Sequence, residues 1–238
     1  AMANDSALWM PTLGSVRNPR LAKALKARLA AMPQVTLKEQ CEVSGFILHG
    51  SQVEGVVTSQ GPLTAERIIV CGGAWAAQLL SQLNVQLPVR PVKGQMIAYQ
   101  APKGLVQRVV LKNGRYIIPR SDGLLLVGST LEEVGFDKRT DAAALASLKQ
   151  SAEAILPALA TCPVAYQWAG LRPGSPTGLP FIGALPEWPN VFVNAGHYRN
   201  GLVLAPASTH LLVDQLLGRA PLIDPAPYQP TPERLIQA

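Results

Sequence analysis

The spacing of apolar residues along the chain predicts three longer helices. The first has Asn18 as its N-cap and Pro19 as its first helical residue. Its apolar side repeats every fourth position, at Leu21, Leu25 and Leu29. A second helix is capped by Thr140, and its apolar face is made of Leu145, Leu148, Ala152 and Ile155. The last helix is predicted from Pro206, as its first helical residue, to Leu217.

Short runs of β-prone residues predict two groups of strands. Between residues 35 and 70 they form a meander that leads into a buried strand at 67–71, which runs into Gly72-Gly73. The strands of the second group are predicted at 106–111, 115–120 and 124–130. They are joined by Asn113-Gly114 and Asp122-Gly123, the dipeptides most typical of tight hairpins. We therefore predict an antiparallel sheet, with the second helix covering one of its faces.

Composition narrows the class of protein. With 238 residues, 48% apolar and 15% charged, the chain is long enough to bury a core and too apolar to be disordered. No apolar run reaches the ~20 residues that a membrane span needs, so we predict a cytoplasmic protein without membrane partners. Its three cysteines, Cys41, Cys71 and Cys162, form no CxxC pair, which predicts reduced, mostly buried thiols and no metal site.

The net charge of +6 raises the question of nucleic acid, but the basic residues are poorly distributed for that partner. The densest group lies on or next to the first predicted helix, at Arg17, Arg20, Lys23, Lys26 and Arg28. Because few aromatic residues are interleaved with it, a solvated helix face is the favoured interpretation. No nucleic-acid partner is predicted.

The stretch from Ala154 to Val213 is nearly free of charge. It has no aspartate, a single glutamate (Glu187) and two arginines, Arg172 and Arg199. A desolvated arginine without an anionic partner is costly, so each arginine either pairs with a distant carboxylate, lies exposed or binds an anionic ligand. The planar guanidinium is well suited to grip a carboxylate.

Signatures of hydrolases and metalloenzymes are missing from the sequence, which has no GxSxG, HExxH or P-loop. His197 has no acid at a suggestive spacing, so a structural role is favoured for it over general base catalysis. Tyr116 lies in a predicted strand, where a half-buried structural tyrosine is the more common explanation. We therefore predict no catalytic acid or base.

Five segments together resemble the D-amino-acid oxidase superfamily of flavoenzymes. They are IIVCGGAW, LPVRPVKGQM, RYIIPR, WAGLRPGSPTGLPFIG and AGHYRNGLVLAPA, and the similarity runs from about Trp9 to Arg219. Within the superfamily the resemblance is strongest to the glycine oxidases, whose imine product enters the thiazole ring of thiamine. The resemblance implies FAD as the cofactor, a small amino acid as the substrate and molecular oxygen as the electron acceptor. A hydride would pass from Cα to the flavin, the imine would be hydrolysed and hydrogen peroxide would be released.

The resemblance also assigns roles to individual residues. Arg172 in GLRPG would bind the substrate carboxylate, Tyr116 would help to hold it and Arg199 would lie at the substrate. The backbone around the flavin ring would be that of His197, Tyr198, Arg199, Asn200, Gly201, Leu202 and Val203. Further cofactor contacts are implied at Val43, Cys71, Gly72 and Gly73.

The implied fold class is α+β, with part of an α/β flavin domain and an antiparallel-sheet substrate domain. Pro88 and Pro91, which interrupt regular structure, put the first boundary near residue 87. We expect residues 1–86 to belong to the flavin domain, 87–172 to form the substrate domain, and 173–238 to return to the flavin domain with a C-terminal helix.

The sequence departs from the family in one respect, because it contains no GxGxxG dinucleotide-binding motif. We expect the chain to correspond to the C-terminal two-thirds of a family member, and an inactive, flavin-free module is one alternative. A dehydrogenase that passes electrons to quinone is another. Sarcosine or a small D-amino acid could replace glycine as the substrate, and formation of a homo-oligomer stays open.

Overall fold

The structure, a computed structural model, describes residues 7–235. Its helices are α1 (Asn18–Ala30), α2 (Ala76–Leu80), α3 (Ala142–Ile155), α4 (Gly201–Leu216) and α5 (Pro232–Leu235). Short 3₁₀ helices lie at Gly73–Trp75, Ser81–Leu83 and Pro157–Thr161. The chain divides into two compact units. Unit 1 holds the described residues through Glu39 together with Lys93–Glu132 and Asp137–Gly170, and unit 2 holds Gln40–Val92, Glu133–Phe136 and the residues from Leu171 onward.

Eleven strands form three sheets within residues 7–235. In chain order they are β1 (Val43–His49), β2 (Gln52–Thr58), β3 (Leu63–Thr64), β4 (Ile68–Val70), β5 (Arg90–Gln100), β6 (Val110–Lys112), β7 (Arg115–Pro119), β8 (Leu124–Gly128), β9 (Val164–Gly174), β10 (Phe181–Ala184) and β11 (Val191–Ala195). The strand orders are β1-β2-β3, β10-β11-β4 and β6-β7-β8-β5-β9. Strands β5 and β9 contribute residues to both units.

Unit 1 is built on the antiparallel strands β6, β7 and β8, and β8 pairs with β5. Asn113-Gly114 and Asp122-Gly123 lie in the turns between these strands, as predicted. Asn113 and Gly114 have φ of 51° and 73°, the positive values that a two-residue hairpin turn needs. Helix α3 covers one face of the sheet, and the predicted covering helix is therefore confirmed. The core between them includes Ile97, Tyr99, Ile117, Val127, Leu148 and Ala152, all 0% exposed.

The N-cap of α3 is Asp141, so the prediction of Thr140 as the cap is wrong by one residue. The Asp141 carboxylate accepts a hydrogen bond from the Ala144 N–H at 2.8 Å. Gln95, which is 0% exposed, accepts a bond from the Asp141 N–H at 3.1 Å and donates another to its carboxylate. Aspartate serves better here because its two oxygens satisfy both the helix start and the buried amide.

Helix α1 forms as predicted, but none of its residues is buried. It begins at Asn18 itself, with Arg17 in the N-cap position, so the prediction of Asn18 as the cap is wrong by one residue. Arg17 forms an ion pair with Asp122 at 2.5 Å, which holds that end of the helix. The apolar positions, Leu21, Leu25 and Leu29, are all exposed.

Unit 2 contains the parallel pair β4 and β11, with β10 beside β11. Val70 and Val193 are opposite each other in this pair and both are buried. The core that surrounds them also takes in Ala76, Leu80, Leu83, Val85, Leu87 and Val89. The predicted strand before Gly72 is therefore present, although Val70 is its only fully buried residue.

Pro91 lies inside β5, so the expectation that it interrupts regular structure is wrong. It is the second residue of that strand, and proline is tolerated near the start of a strand because few ladder hydrogen bonds are lost there.

The segment after α4 packs back against β10 in unit 2. The Tyr228 carbonyl accepts a hydrogen bond from the Ile182 N–H at 2.8 Å. Arg234 stacks on the Phe181 ring at 4.2 Å and donates to the carbonyls of Leu179 and Pro180 at 3.3 and 3.2 Å. These contacts fix the connection between β9 and β10.

The cysteines are free, as predicted, but none of them is buried. Cys41 and Cys162 are half-buried and Cys71 is exposed, so the expectation of mostly buried thiols is wrong. No group of three or more metal-binding side chains is found within residues 7–235. Over the same part of the chain, no helix combines the length and the apolar character that crossing a membrane requires.

Candidate functional site

The carboxyl ends of β4 and β11 meet at one edge of the parallel pair. Strand β4 runs into Cys71, Gly72 and Gly73, and β11 runs into Gly196. Gly73 and Gly196 have φ of 56° and 83°, in the left-handed region that favours glycine. A Cβ at Gly72 would lie 3.2 Å from backbone atoms of Ala76. Glycine turns at this edge of parallel strands are where ligands bind in many α/β proteins.

Helix α4 begins at Gly201, shortly after the turn at Gly196, and the prediction of Pro206 as its first residue is wrong. Pro206 lies inside the helix, where its missing N–H leaves only the Leu202 carbonyl without a helical donor. The first N–H groups of a helix have no acceptor within it, so those of Gly201, Leu202 and Val203 are not used by the hydrogen bonds of α4. Val203 is 81% exposed at this end. The helix start is therefore suited to an anion or a carbonyl oxygen.

The two arginines of the charge-poor stretch lie on two segments of unit 2 that a backbone hydrogen bond joins. Arg172 is half-buried in β9, and Arg199 is exposed in the turn before α4. The Tyr198 N–H donates a hydrogen bond to the Pro173 carbonyl at 2.9 Å. The residue after Arg172 is thus bonded to the residue before Arg199. Tyr198 has a φ of 50°, which is uncommon for a residue other than glycine.

His197 bonds to α4 rather than to an acid. Its Nε2 lies 2.9 Å from Oγ of Ser208, a helix residue that is buried. Desolvation lowers the pKa of His197 below its ordinary value of 6.5, which favours the neutral ring. The bond ties the turn to α4, which supports the structural interpretation of this histidine.

Two of the predicted site residues lie in other parts of the fold. Tyr116 belongs to unit 1, where it lies on the face of β7 that points away from α3. It is half-buried, and its hydroxyl donates to Sδ of Met96 at 3.9 Å. Val43 is the first residue of β1 in unit 2, pairs with Thr58 and is exposed. Their roles toward substrate and cofactor stay predictions.

The sequence did not single out two residues that shape these segments. Ser208 holds His197, and Gly128 lies directly under the ring of Tyr116. No sequence spacing links either pair, because both contacts arise from the fold. The only available signal was the glycine at the end of a strand, where it often marks a close approach.

The amino-acid sequence matches a known family and several named proteins. Residues 3–215 of this chain match the FAD dependent oxidoreductase family. Glycine oxidase of Pseudomonas putida is 52% identical over 94% of this chain and 61% of its own length. The bifunctional protein ThiO/ThiG of Nostoc is 36% identical over 88% of this chain and 32% of its own length. The chain thus spans less than two thirds of the length of the relatives that it matches.

Two solved structures of named proteins are also similar to this chain. Glycine oxidase from Geobacillus kaustophilus superposes with a TM-score of 0.83 at 37% identity, over 90% of this chain and 58% of that one. Iminodiacetate oxidase from Chelativorans superposes with a TM-score of 0.81 at 32% identity, over 89% of this chain and 58% of that one. The predicted α+β fold of the D-amino-acid oxidase type is confirmed.

Proposed function

We propose, because the chain belongs to the FAD dependent oxidoreductase family, that the protein binds FAD and oxidises glycine or another small amino acid, with molecular oxygen as the electron acceptor. The observation that carries the proposal is the bond between Tyr198 and Pro173, which joins the segments of Arg172 and Arg199. The resemblance to glycine oxidases suggests that the imine product serves thiamine thiazole synthesis.

The residues of unit 2 fit one part of the cofactor, its flavin ring. The N–H groups that α4 does not use at its start suit a ring carbonyl, and they belong to Gly201, Leu202 and Val203. The turn of His197, Tyr198 and Asn200 would line the ring with backbone, and Gly72 and Gly73 allow close approach at the strand edge. A bound flavin would supply the acceptor for a hydride, with molecular oxygen as the final electron acceptor. The sequence has no GxGxxG motif, so we assign no pyrophosphate contacts to these residues.

Arg172 would bind the carboxylate of the substrate. Its guanidinium can form two parallel hydrogen bonds to a carboxylate, and its partial burial strengthens such a pair relative to an exposed one. Arg199 is more exposed and would add positive charge near the same helix start. For Tyr116 we propose that its single hydroxyl hydrogen turns from Sδ of Met96 to the substrate carboxylate.

No side chain needs to act as an acid or a base in this reaction. The substrate would react as its neutral amine, after the ammonium proton is lost to solvent, and its Cα hydrogen would leave with the bonding electrons as a hydride. Water would hydrolyse any imine that thiazole synthesis does not use to an oxo acid and ammonia. Catalysis would come mostly from holding the amino acid in one orientation. His197, whose neutral form is favoured by burial and whose Nε2 lies against Ser208, is in keeping with such a mechanism.

The proposal is tested by peroxide release after glycine is added to the FAD-loaded protein. Arg172→Ala should raise KM for glycine by roughly 100-fold, because a charge-assisted pair is lost. Arg67→Ala is the matched control, since Arg67 is an arginine of unit 2 whose guanidinium donates to the Leu216 carbonyl. An unchanged KM in Arg172→Ala would sink the assignment of the carboxylate site.

A second candidate substrate is a glycine with a substituent on nitrogen, such as sarcosine. It is favoured by the similarity to iminodiacetate oxidase, at 32% identity and a TM-score of 0.81. The ratio of kcat/KM for sarcosine and glycine decides between the two substrates. Reduction of a quinone without peroxide release would instead support a dehydrogenase.

A further inference from the structure

Tyr116 reaches across the backbone of the neighbouring strand in unit 1. The register puts Tyr116 opposite Gly128, and Gly128 opposite Met96, so the three residues form one row on the sheet face that points away from α3. The Tyr116 hydroxyl reaches over Gly128 and donates to Sδ of Met96 at 3.9 Å. The phenol ring therefore extends sideways over β8 instead of pointing straight out from the sheet at β7.

A side chain at position 128 would have no room. An ideal Cβ there would lie 2.7 Å from Oη, 2.9 Å from Cζ and 3.0 Å from Cε2 of Tyr116. Gly128 does not have a positive φ, so no left-handed backbone conformation requires a glycine here. Space for the tyrosine ring is therefore the reason for a glycine at this position.

The backbone at Gly128 is held more firmly than the ring above it. On the other face of the sheet, Ile117 and Val127 are paired across β7 and β8 and are 0% exposed beneath α3. Directly after Gly128, the Ser129 carbonyl accepts a hydrogen bond from the Arg115 guanidinium. An added methyl group would therefore displace the end of the tyrosine side chain rather than the strand.

We propose that Gly128 is a positioning residue, which fixes the place of the Tyr116 hydroxyl and through it the affinity for the substrate carboxylate. The inference rests on the proposed function for the role of Tyr116, whereas the placement of the ring stands on the geometry alone. Gly128 acts through Tyr116 and is not itself a catalytic residue.

The placement is tested with Gly128→Ala in protein that carries ¹³C-labelled tyrosine, which needs no cofactor. The chain has 5 tyrosines, and the ring signal of Tyr116 is identified by its loss in Tyr116→Phe. We expect that signal to shift in Gly128→Ala and to stay in place in Gly45→Ala. Gly45 is the matched control because a Cβ added there meets nothing within 4 Å. A Tyr116 signal that does not move in Gly128→Ala overturns the inference.

The consequence for binding is tested with acetate, a simple carboxylate, added to the FAD-loaded protein while flavin absorbance is followed. Gly128→Ala should raise the Kd of acetate about 10-fold, but less than about 2-fold in a Tyr116→Ala background. An equal effect in both backgrounds overturns the inference. A parent protein that does not respond to acetate would instead contradict the proposed function, and the ring signal would still decide the role of Gly128.

A variant that fails to fold is also informative. If Gly128→Ala is unfolded, the double variant Tyr116→Ala/Gly128→Ala should be folded, because removal of the ring removes the clash. Failure of the double variant, when Tyr116→Ala alone is folded, overturns the inference.

Discussion

Two tyrosines of unit 1 lie on opposite faces of the same antiparallel sheet. Tyr99, on β5, is 0% exposed beneath α3, and its hydroxyl has no hydrogen-bond partner among the described residues. Tyr116, on β7, is half-buried, and its hydroxyl donates to Met96. Alternation along the strands separates a face that stabilises the fold from a face that offers a polar group. A tyrosine on one face of the sheet therefore contributes to the core, whereas a tyrosine on the other face presents its hydroxyl.

The largest expected effect concerns neighbouring isoleucines on β7. Ile117 is 0% exposed under α3, whereas Ile118 is half-buried on the opposite face. Ile117→Ala should lower the free energy of unfolding by about 2–5 kcal/mol, and Ile118→Ala by less than half of that. Urea unfolding measures both variants, and equal losses would remove the distinction between the two faces.

The next effect separates the two tyrosines by activity. In the FAD-loaded protein, Tyr116→Phe should raise KM for glycine by about 10-fold with little change in kcat, since a hydrogen bond to a charged group is lost. Tyr99→Phe should leave KM within about 2-fold, because its ring lies in the core. A KM that responds equally to both substitutions would show that Tyr116 has no special role.

The smallest effect is on stability at high pH. Burial raises the pKa of Tyr99 from 10.0 to about 12. Between these values the unfolded chain loses the phenol proton while the folded protein keeps it, so the free energy of unfolding should fall as the pH rises from 10 towards 12. Tyr99→Phe should remove this part of the loss and, at neutral pH, should be neutral or stabilising by about 1 kcal/mol. Urea unfolding across this pH range checks both points, and an unchanged slope in Tyr99→Phe would contradict them.

Local signals in the sequence predict much of the fold, but not its fine boundaries. The hairpins at Asn113-Gly114 and Asp122-Gly123 follow from the positive φ that their turns need. The cap of α3 was missed because Asp141 is selected by the buried amide of Gln95, a contact between distant residues. The start of α4 was missed because Pro206 is accommodated inside the helix.

The sequence predicts the charged residues of the candidate site but not how they are arranged in space. Arg172 and Arg199 stand out because the sequence on either side of them contains almost no other charged residue. The bond between Tyr198 and Pro173 that joins their segments depends on the register of separate elements, which no local pattern encodes. Gly128 was missed for the same reason, because its neighbour is a ring on another strand.

In the proposed function, Arg172 recognises the carboxylate of a small amino acid. The most direct measurement compares glycine with glycinamide, its uncharged amide, in the FAD-loaded protein and in Arg172→Ala. We expect Arg172→Ala to lower kcat/KM for glycine by roughly 100-fold and to change kcat/KM for glycinamide by less than about 3-fold. An equal loss of kcat/KM for both compounds would show that Arg172 does not recognise the carboxylate.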